Sequence, residues 1–295
     1  MSGFTRAVVV ESAGALTTVQ DLGRPGSAHL GVTRSGAADR GSLRLANRLV
    51  GNRDTAAAFE VTLGGFALTT LVAVTVAVTG ASCPIQVDGR SAASNAPLSL
   101  GPGSVVELGT ATRGLRAYVA VRGGLDVPLV LGSRSSDTLA GLGPRPIAAG
   151  DVVALGAVPG WQSGRVPHVD VAPVPALPAP SEPVSLRVVP GPRVDWLTGG
   201  LTSVCTTWVV QPDSDRVAVR LRDAPGGAVL GRRVDELPSE GLVRGAVQLP
   251  PSGQPVVFLA DHPVTGGYPV VAVLRDVDVD LAAQLRPGQP VRLVS

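Results

Sequence analysis

Glycine and proline punctuate this chain so densely that long uninterrupted elements have little room to form. The 295 residues include 37 Gly and 26 Pro. Turns at that frequency separate short elements and favour an all-β or β-rich fold. The longest apolar run, Phe66 to Val78, is too short to span a bilayer and is broken by Thr69, Thr70 and Thr75. Its Thr/Val alternation reads as strand. Hydrophobic residues make up 44 % and charged residues 16 %, enough apolar material for a core and too little charge for a disordered chain. The length sets an expectation of about two domains.

Alternation fixes the strands. In Ala58–Leu63, Phe59, Val61 and Leu63 face one way and Ala58, Glu60 and Thr62 the other. Further strands are expected at Arg6–Val10, Leu16–Gln20, Phe66–Leu71, Ala73–Thr79, Ile85–Val87 and Leu115–Val121. A later set is expected at Val184–Val189, Ser203–Val210, Val217–Leu221, Gly245–Gln248, Val256–Leu259 and Val270–Leu274. Gly266-Gly267 has the composition of a tight hairpin turn. One helix stands out, Asp39 to Val50. Leu43, Leu45, Ala46, Leu49 and Val50 form its apolar face, Asp39 is placed to cap its start, and Gly51-Asn52 to stop it. Val279–Leu285 has room for one or two further helical turns.

A turn-then-strand unit recurs at Leu100–Leu108, Ile147–Leu155 and Leu285–Leu293, each with a glycine three residues after the leading aliphatic. Such a turn delivers the chain into an edge or barrel-closing strand. Prolines crowd residues 158–183, which reads as an extended linker. The expected domains are therefore 1–157 and 184–295.

The charge balance excludes several functions. Net charge is +2 and the basic residues are scattered, so neither nucleic acid nor a membrane is an expected partner. All positive side-chain charge is arginine; the chain contains no lysine. It therefore cannot form a Schiff base, carry biotin or supply a phosphate-loop lysine. Neither a G-x-S-x-G elbow nor a Walker A loop is present. The three histidines, His29, His168 and His262, are dispersed, and no metal site is expected. Cys83 and Cys205 fit no zinc or disulfide spacing. With no signal-peptide pattern in Met1–Gly14, a cytoplasmic location is expected.

The stretch from Thr18 to Arg40, Thr-Val-Gln-Asp-Leu-Gly-Arg-Pro-Gly-Ser-Ala-His-Leu-Gly-Val-Thr-Arg-Ser-Gly-Ala-Ala-Asp-Arg, continues through Leu45–Asn52. It resembles the opening of the KipA family, also called allophanate hydrolase subunit 2 or biotin-dependent carboxyltransferase-like, which includes the C subunits of 5-oxoprolinases. Matching blocks follow in order at Phe59–Gly65, Ala120–Pro128, Leu131–Thr138, Leu142–Pro146, Val189–Arg193, Leu237–Leu242 and Ala260–Pro269. Two stretches depart from the family pattern. Val270 stands where many relatives have lysine, and Asp215–Leu221 reads Asp-Arg-Val-Ala-Val-Arg-Leu where many have Asp-Arg-Met-Gly-x-Arg-Leu.

The resemblance implies a mainly β fold of two tandem cyclophilin-like β-barrel domains with few short helices. It also implies a KipI-like partner in a heterodimer or heterotetramer, and a third, LamB/YcsF-like subunit. Such complexes consume ATP to open the lactam of 5-oxoproline to glutamate, with ATP held by this chain or by its partners. Two other readings stay open. One is a carboxyltransferase module like that of urea carboxylase, dependent on a biotinylated partner. The other is a non-catalytic regulator that binds a KipI-like protein.

Opening a five-membered lactam needs cationic groups for phosphate, donors for the carbonyl oxygen and a base for water. Gln20, Asp21 and Arg24 offer a donor, an acid and a guanidinium on one glycine-rich loop, with His29 and Arg34 further along it. The alternative is a structural loop in which Asp21 pairs with Arg24 and Arg34. Glu60 can serve as acid or base at a barrel mouth, or be an ordinary solvated strand glutamate. Arg122, before Gly123-Gly124, can clamp an oxyanion or form a surface ion pair. His262 is a candidate general base, and Gly266, Gly267 and Tyr268 candidate binding residues; the alternative is a hairpin loop. The candidate catalytic set is thus Asp21, His29, Glu60 and His262, and the binding set Gln20, Arg24, Arg34, Arg122, Gly266, Gly267 and Tyr268.

Overall fold

The computed structural model describes residues 6–158, 171–173, 177–224, 230 and 236–295. The described chain forms two compact units that are not contiguous in sequence. One comprises residues up to Arg24, Asp39–Asp137 and Gly141–Leu177; the other comprises Pro25–Ala38, Thr138–Ala140 and Pro178–Ser295. Most of the proline-rich linker expected at 158–183 lies outside the described residues.

The first unit contains β1 (Ala7–Ala13), β2 (Leu16–Gln20), α1 (Arg40–Leu49), β3 (Ala58–Thr62), β4 (Phe66–Thr70), β5 (Val74–Ser82), β6 (Ile85–Val87), β7 (Arg90–Ser91), β8 (Leu98–Leu100), β9 (Val105–Leu108), β10 (Arg113–Val121) and β11 (Val152–Ala154). Six strands form one sheet in the order β11-β1-β4-β9-β6-β7, and five form another in the order β2-β3-β10-β5-β8. The core draws on both sheets, with Val8, Val10, Leu68 and Val106 from one and Val19, Phe59, Val61, Val76 and Val119 from the other. The alternation in β3 sends Phe59 and Val61 into that core. Glu60 points the other way, in register with Thr18 of β2 and Tyr118 of β10. On that second face α1 packs against β5 and β10, burying Leu43, Ala46 and Leu49.

Helix α1 begins where the sequence expects it. Asp39 accepts hydrogen bonds from the backbone N of Ser42 at 2.8 Å and from its hydroxyl at 2.7 Å. Gly51, at φ 72°, ends the helix in a left-handed turn.

The second unit contains β12 (Val184–Pro190), α2 (Leu201–Val204), β13 (Thr207–Val210), β14 (Ala218–Asp223), β15 (Glu240–Gly241), β16 (Ala246–Gln248), β17 (Val256–Phe258), β18 (Thr265–Gly266), β19 (Val270–Leu274), α3 (Asp276–Ala282) and β20 (Pro290–Val294). Seven strands close a barrel in the order β12-β19-β16-β17-β14-β13-β20, with β20 completing the circuit by parallel pairing to β12. Trp208, Leu186, Leu221, Val257, Leu259 and Leu293 fill it. Closure removes the unpaired edges a curved sheet would otherwise expose. The fold is mainly β with three short helices among the described residues, as expected. The second unit is the closed barrel, whereas the strands of the first remain in two sheets.

The three recurring segments share one backbone device. Gly103, Gly150 and Gly288 all lie in the left-handed region, at φ 80°, 85° and 83°, and each turns the chain into the strand that follows, β9, β11 or β20. Two of these strands occupy the expected positions, β11 at a sheet edge and β20 closing the barrel. β9 instead lies inside its sheet, between β4 and β6.

Two local expectations are corrected. Gly266-Gly267 does not form a tight hairpin turn: Gly266 ends a short strand, Thr265–Gly266, paired to Glu240-Gly241. Ser203 and Val204 end a helical turn, and the strand starts only at Thr207. Among the described residues no helix is long and apolar enough to cross a membrane.

Substituting Asp39→Ala removes both cap hydrogen bonds. The expected result is a loss of about 1–2 kcal/mol of unfolding free energy, measured by denaturant titration.

Candidate functional site

In the first unit, the residues singled out on the glycine-rich loop are buried and engaged. Asp21 accepts from four donors: the Gly23 backbone N at 2.7 Å, the hydroxyls of Ser133 at 2.7 Å and Ser135 at 2.5 Å, and the Arg134 backbone N at 2.7 Å. These contacts join the opening motif to the Leu131–Thr138 motif. Arg24, 1 % exposed, directs its guanidinium at backbone carbonyls, donating to Ser135 O and, at 3.4 Å, to Val130 O. Its Nη1 lies 3.6 Å from Asp137. Asp21 and Arg24 therefore do not pair with each other; each ties the loop to the 130–137 segment separately. Gln20 donates to the Ser136 carbonyl at 2.8 Å and to the Thr18 hydroxyl at 3.0 Å. Its Oε1 is buried and unpartnered among the described residues, so Gln20 retains one acceptor able to meet a donor.

Glu60 is not a solvated glutamate. It is 1 % exposed, accepts from the Tyr118 hydroxyl at 2.8 Å and lies 3.6 Å from Nε of Arg116. The Tyr118 oxygen in turn accepts from the Asp39 backbone N at 2.8 Å. Burial, reinforced by the charges of Glu60 and Asp39, pushes the Tyr118 phenol well above its ordinary range. The phenol therefore stays protonated and serves as a fixed donor to the carboxylate. Arg122 is half-buried just past the end of β10, and its Nε has no partner among the described residues.

In the second unit the motif blocks converge on a buried ion pair. Asp261 is fully buried and accepts from Arg216 Nε at 3.0 Å and Nη2 at 3.1 Å. It also accepts from the Ser35 hydroxyl at 2.6 Å, and from the Thr138 backbone N at 2.9 Å and hydroxyl at 2.8 Å. Arg216 donates further to the Gly36 carbonyl at 2.7 Å. Ser35 holds φ at 53° to make its contact, a conformation unusual for a residue with a Cβ. Burial alone would raise the Asp261 carboxyl. The Arg216 charge and the donors around it outweigh burial and hold the carboxyl below its ordinary value.

Beside it, His262 is largely buried. Its Nδ1 lies 2.8 Å from the Pro263 carbonyl and its ring centroid 6.2 Å from that of Phe258. Arg193 forks onto Glu240, with Nε 3.0 Å from Oε1, and this hydrogen bonding lowers the Glu240 carboxyl. Glu240 pairs across β15–β18 with Gly266. A Cβ on Gly266 would lie 2.8 Å from Gln248 Nε2 and 2.9 Å from Leu242 Cδ1. Gly266 thus sits in a short strand close to two flexible side-chain ends, not in a turn. Gln248 donates at 2.8 Å to the Tyr268 carbonyl, which leaves the half-exposed Tyr268 side chain outside that contact. Gly267 is exposed. Val270, at the position of the family lysine, is buried in a cluster with Ala218, Leu242 and Phe258.

His29 and Arg34 are exposed, His29 with Nδ1 3.0 Å from the Gly26 carbonyl. They belong to the second unit, whereas Gln20, Asp21, Arg24, Glu60 and Arg122 belong to the first. Sequence reasoning passed over Arg216 and Arg193 as site residues, and left Ser133, Ser135 and Glu240 outside the candidate set. Their signal was present, because opposite charges recur inside separate motif blocks, Arg193 with Glu240 and Arg216 with Asp261. Among the described residues no cluster of His, Cys, Asp and Glu could hold a metal ion.

Residues 30–295 match the family described as carboxyltransferase domain, subdomain A and B. The chain is 35 % identical to the C subunit of 5-oxoprolinase from Escherichia coli, covering 96 % of this chain and 89 % of that one. It is 31 % identical to the Haemophilus influenzae protein of the same name over 93 % of this chain and 86 % of that one. Among solved structures it is similar to TTHA0988, with TM-score 0.84, 35 % identity and coverage of 99 % of this chain but 56 % of that one. It is also similar to the Kluyveromyces lactis urea amidolyase, with TM-score 0.89 and 30 % identity, spanning 99 % of this chain and 19 % of that one.

The Asp261 pair makes a stability prediction. Its carboxyl is depressed in the folded state, so its stabilisation is complete above the unfolded-state value of about 4 and is lost as pH falls through the folded value. Arg216→Met, which strands the buried carboxylate, should cost about 3–5 kcal/mol at neutral pH. It should also flatten the acid limb of the stability–pH curve, measured by urea unfolding at stepped pH.

Proposed function

Because the chain belongs to the carboxyltransferase family of subdomains A and B, and its likeness to the 5-oxoprolinase C subunit covers nearly the whole of both proteins, we propose that it is a subunit of an ATP-dependent 5-oxoprolinase. In this reading it acts with a KipI-like partner and a LamB/YcsF-like subunit to hydrolyse the 5-oxoproline lactam to glutamate. The near end-to-end match to the E. coli protein is the observation that carries it.

ATP, when bound by the complex, supplies phosphoryl activation of the lactam oxygen. The chain has no lysine and no phosphate loop, so its own contribution to phosphate is arginine, and the nucleotide is held by or shared with partner subunits. Water would then add to the activated ring carbon, the C–N bond would break with the nitrogen taking up a proton, and a second water would release the phosphoryl group as inorganic phosphate, leaving glutamate. His262 is the candidate to move that proton, since its Nδ1–H donating to the Pro263 carbonyl would fix the tautomer with Nε2 as the basic nitrogen. Glu60, Asp21 and Arg24 are positioning groups in this scheme, because their polar atoms are committed to holding β3, β10 and the 130–137 segment.

The likeness to urea amidolyase favours a second reading, a carboxyltransferase module. Reconstitution with the partner subunits separates the two. The expected outcome is ADP release and glutamate formation with 5-oxoproline, neither with urea or allophanate, and no activity from this chain alone. His262→Gln should lower turnover at least tenfold while leaving complex assembly intact. Turnover on urea or allophanate instead would support the second reading. Unchanged activity in Asp21, Arg24 and His262 variants would favour the non-catalytic regulator.

A further inference from the structure

In the first unit a cleft of about 370 Å³ opens beside Gly123-Gly124. A volume of that order accommodates a small metabolite. Its lining combines the cationic Arg53 and Arg134 with the apolar Ala56, Ala57 and Leu125.

The floor is rigid. Asn52 accepts from the Gly123 backbone N at 2.8 Å and donates to the Val121 carbonyl at 2.9 Å and to Asn47 Oδ1 at 3.0 Å. Asn47 is itself anchored to the Ala56 carbonyl at 2.8 Å. The walls meet where side chains cannot fit. A Cβ on Gly123 would lie 2.4 Å from the Gly156 carbonyl oxygen, and one on Gly156 2.5 Å from the Gly123 oxygen. The concavity is therefore built in rather than left between mobile side chains.

Its arginines hold donors in reserve. Arg53 is exposed and has no hydrogen bond or ion pair through its side chain among the described residues. Arg134 gives Nη2 to Asp126 at 2.6 Å, and its Nε has no partner among the described residues, so part of its donor set is left over. The lining carries two guanidinium groups against one carboxylate, so an anion meets net positive charge and planar donors suited to paired oxygens.

We propose that this cleft binds the phosphate or carboxylate group of a small molecule, with Arg53 and the unpaired Nε of Arg134 as donors and Asp126 as the internal competitor for Arg134. The proposal is independent of the lactam-opening reading, since it needs no nucleotide, partner or turnover.

The test is titration of the whole chain at low ionic strength with inorganic phosphate and, separately, with glutamate, followed by the amide chemical shifts of Gly123 and Gly124 and by calorimetry. Saturable binding of at least one titrant is expected. Arg53→Gln, at an exposed position, should weaken it about tenfold or more. Asp126→Asn should tighten it, because the competing carboxylate is gone. Phosphate alone saturating identifies a phosphoryl site, glutamate alone a carboxylate site, and both a general oxyanion site. Failure of both titrants to move Gly123 and Gly124, or binding indifferent to Arg53→Gln and Asp126→Asn, overturns the proposal.

Discussion

Each unit is organised around a buried aspartate whose oxygens are supplied with donors from distant parts of the chain. Asp21 collects four donors from Gly23, Ser133, Arg134 and Ser135. Asp261 collects five, from Ser35, Thr138 and Arg216. A carboxylate taken out of water is tolerated only when its lone pairs are met in this way. The requirement works in both directions. The loops satisfy the charge, and the charge fixes loops that have almost no apolar side chains of their own to bury.

That reciprocity explains why so many polar residues of the motif blocks are inaccessible. Gln20, Asp21, Arg24 and Glu60 have the residue types of an active site, and in the fold most of their polar atoms are engaged in hydrogen bonds and ion pairs within the first unit. Of the other candidates, Tyr268, Gly267, His29 and Arg34 are exposed, whereas His262 is largely buried.

The strands were legible because period-two alternation survives in β3 and β4 and a continuous apolar run marks β19, and α1 because Asp39 and Gly51 bracket a single amphipathic run. The recurring glycine turns were legible as well, since only glycine adopts φ near 80° without strain. Gly266-Gly267 misled because a glycine in a short paired strand has the same sequence signature as a glycine in a turn. Ser203–Val210 misled because its β-branched residues mask the helical turn before Thr207. The exchange of Pro25–Ala38 and Thr138–Ala140 into the second unit left no mark in the sequence. The opposite charges of Arg216 and Asp261 were visible in their separate blocks, but their meeting across 45 residues follows from the antiparallel pairing of β14 with β17, which no local pattern records.

Amide hydrogen exchange on wild type and Asp21→Asn tests most directly whether a buried carboxylate holds the loops in place. If it does, the substitution sharply lowers protection at Gly23 and across residues 131–137, while β14, β17 and β19 of the barrel keep theirs. Unchanged protection at Gly23 and Arg134 would contradict the account and show that the surrounding strands fix those loops without the charge.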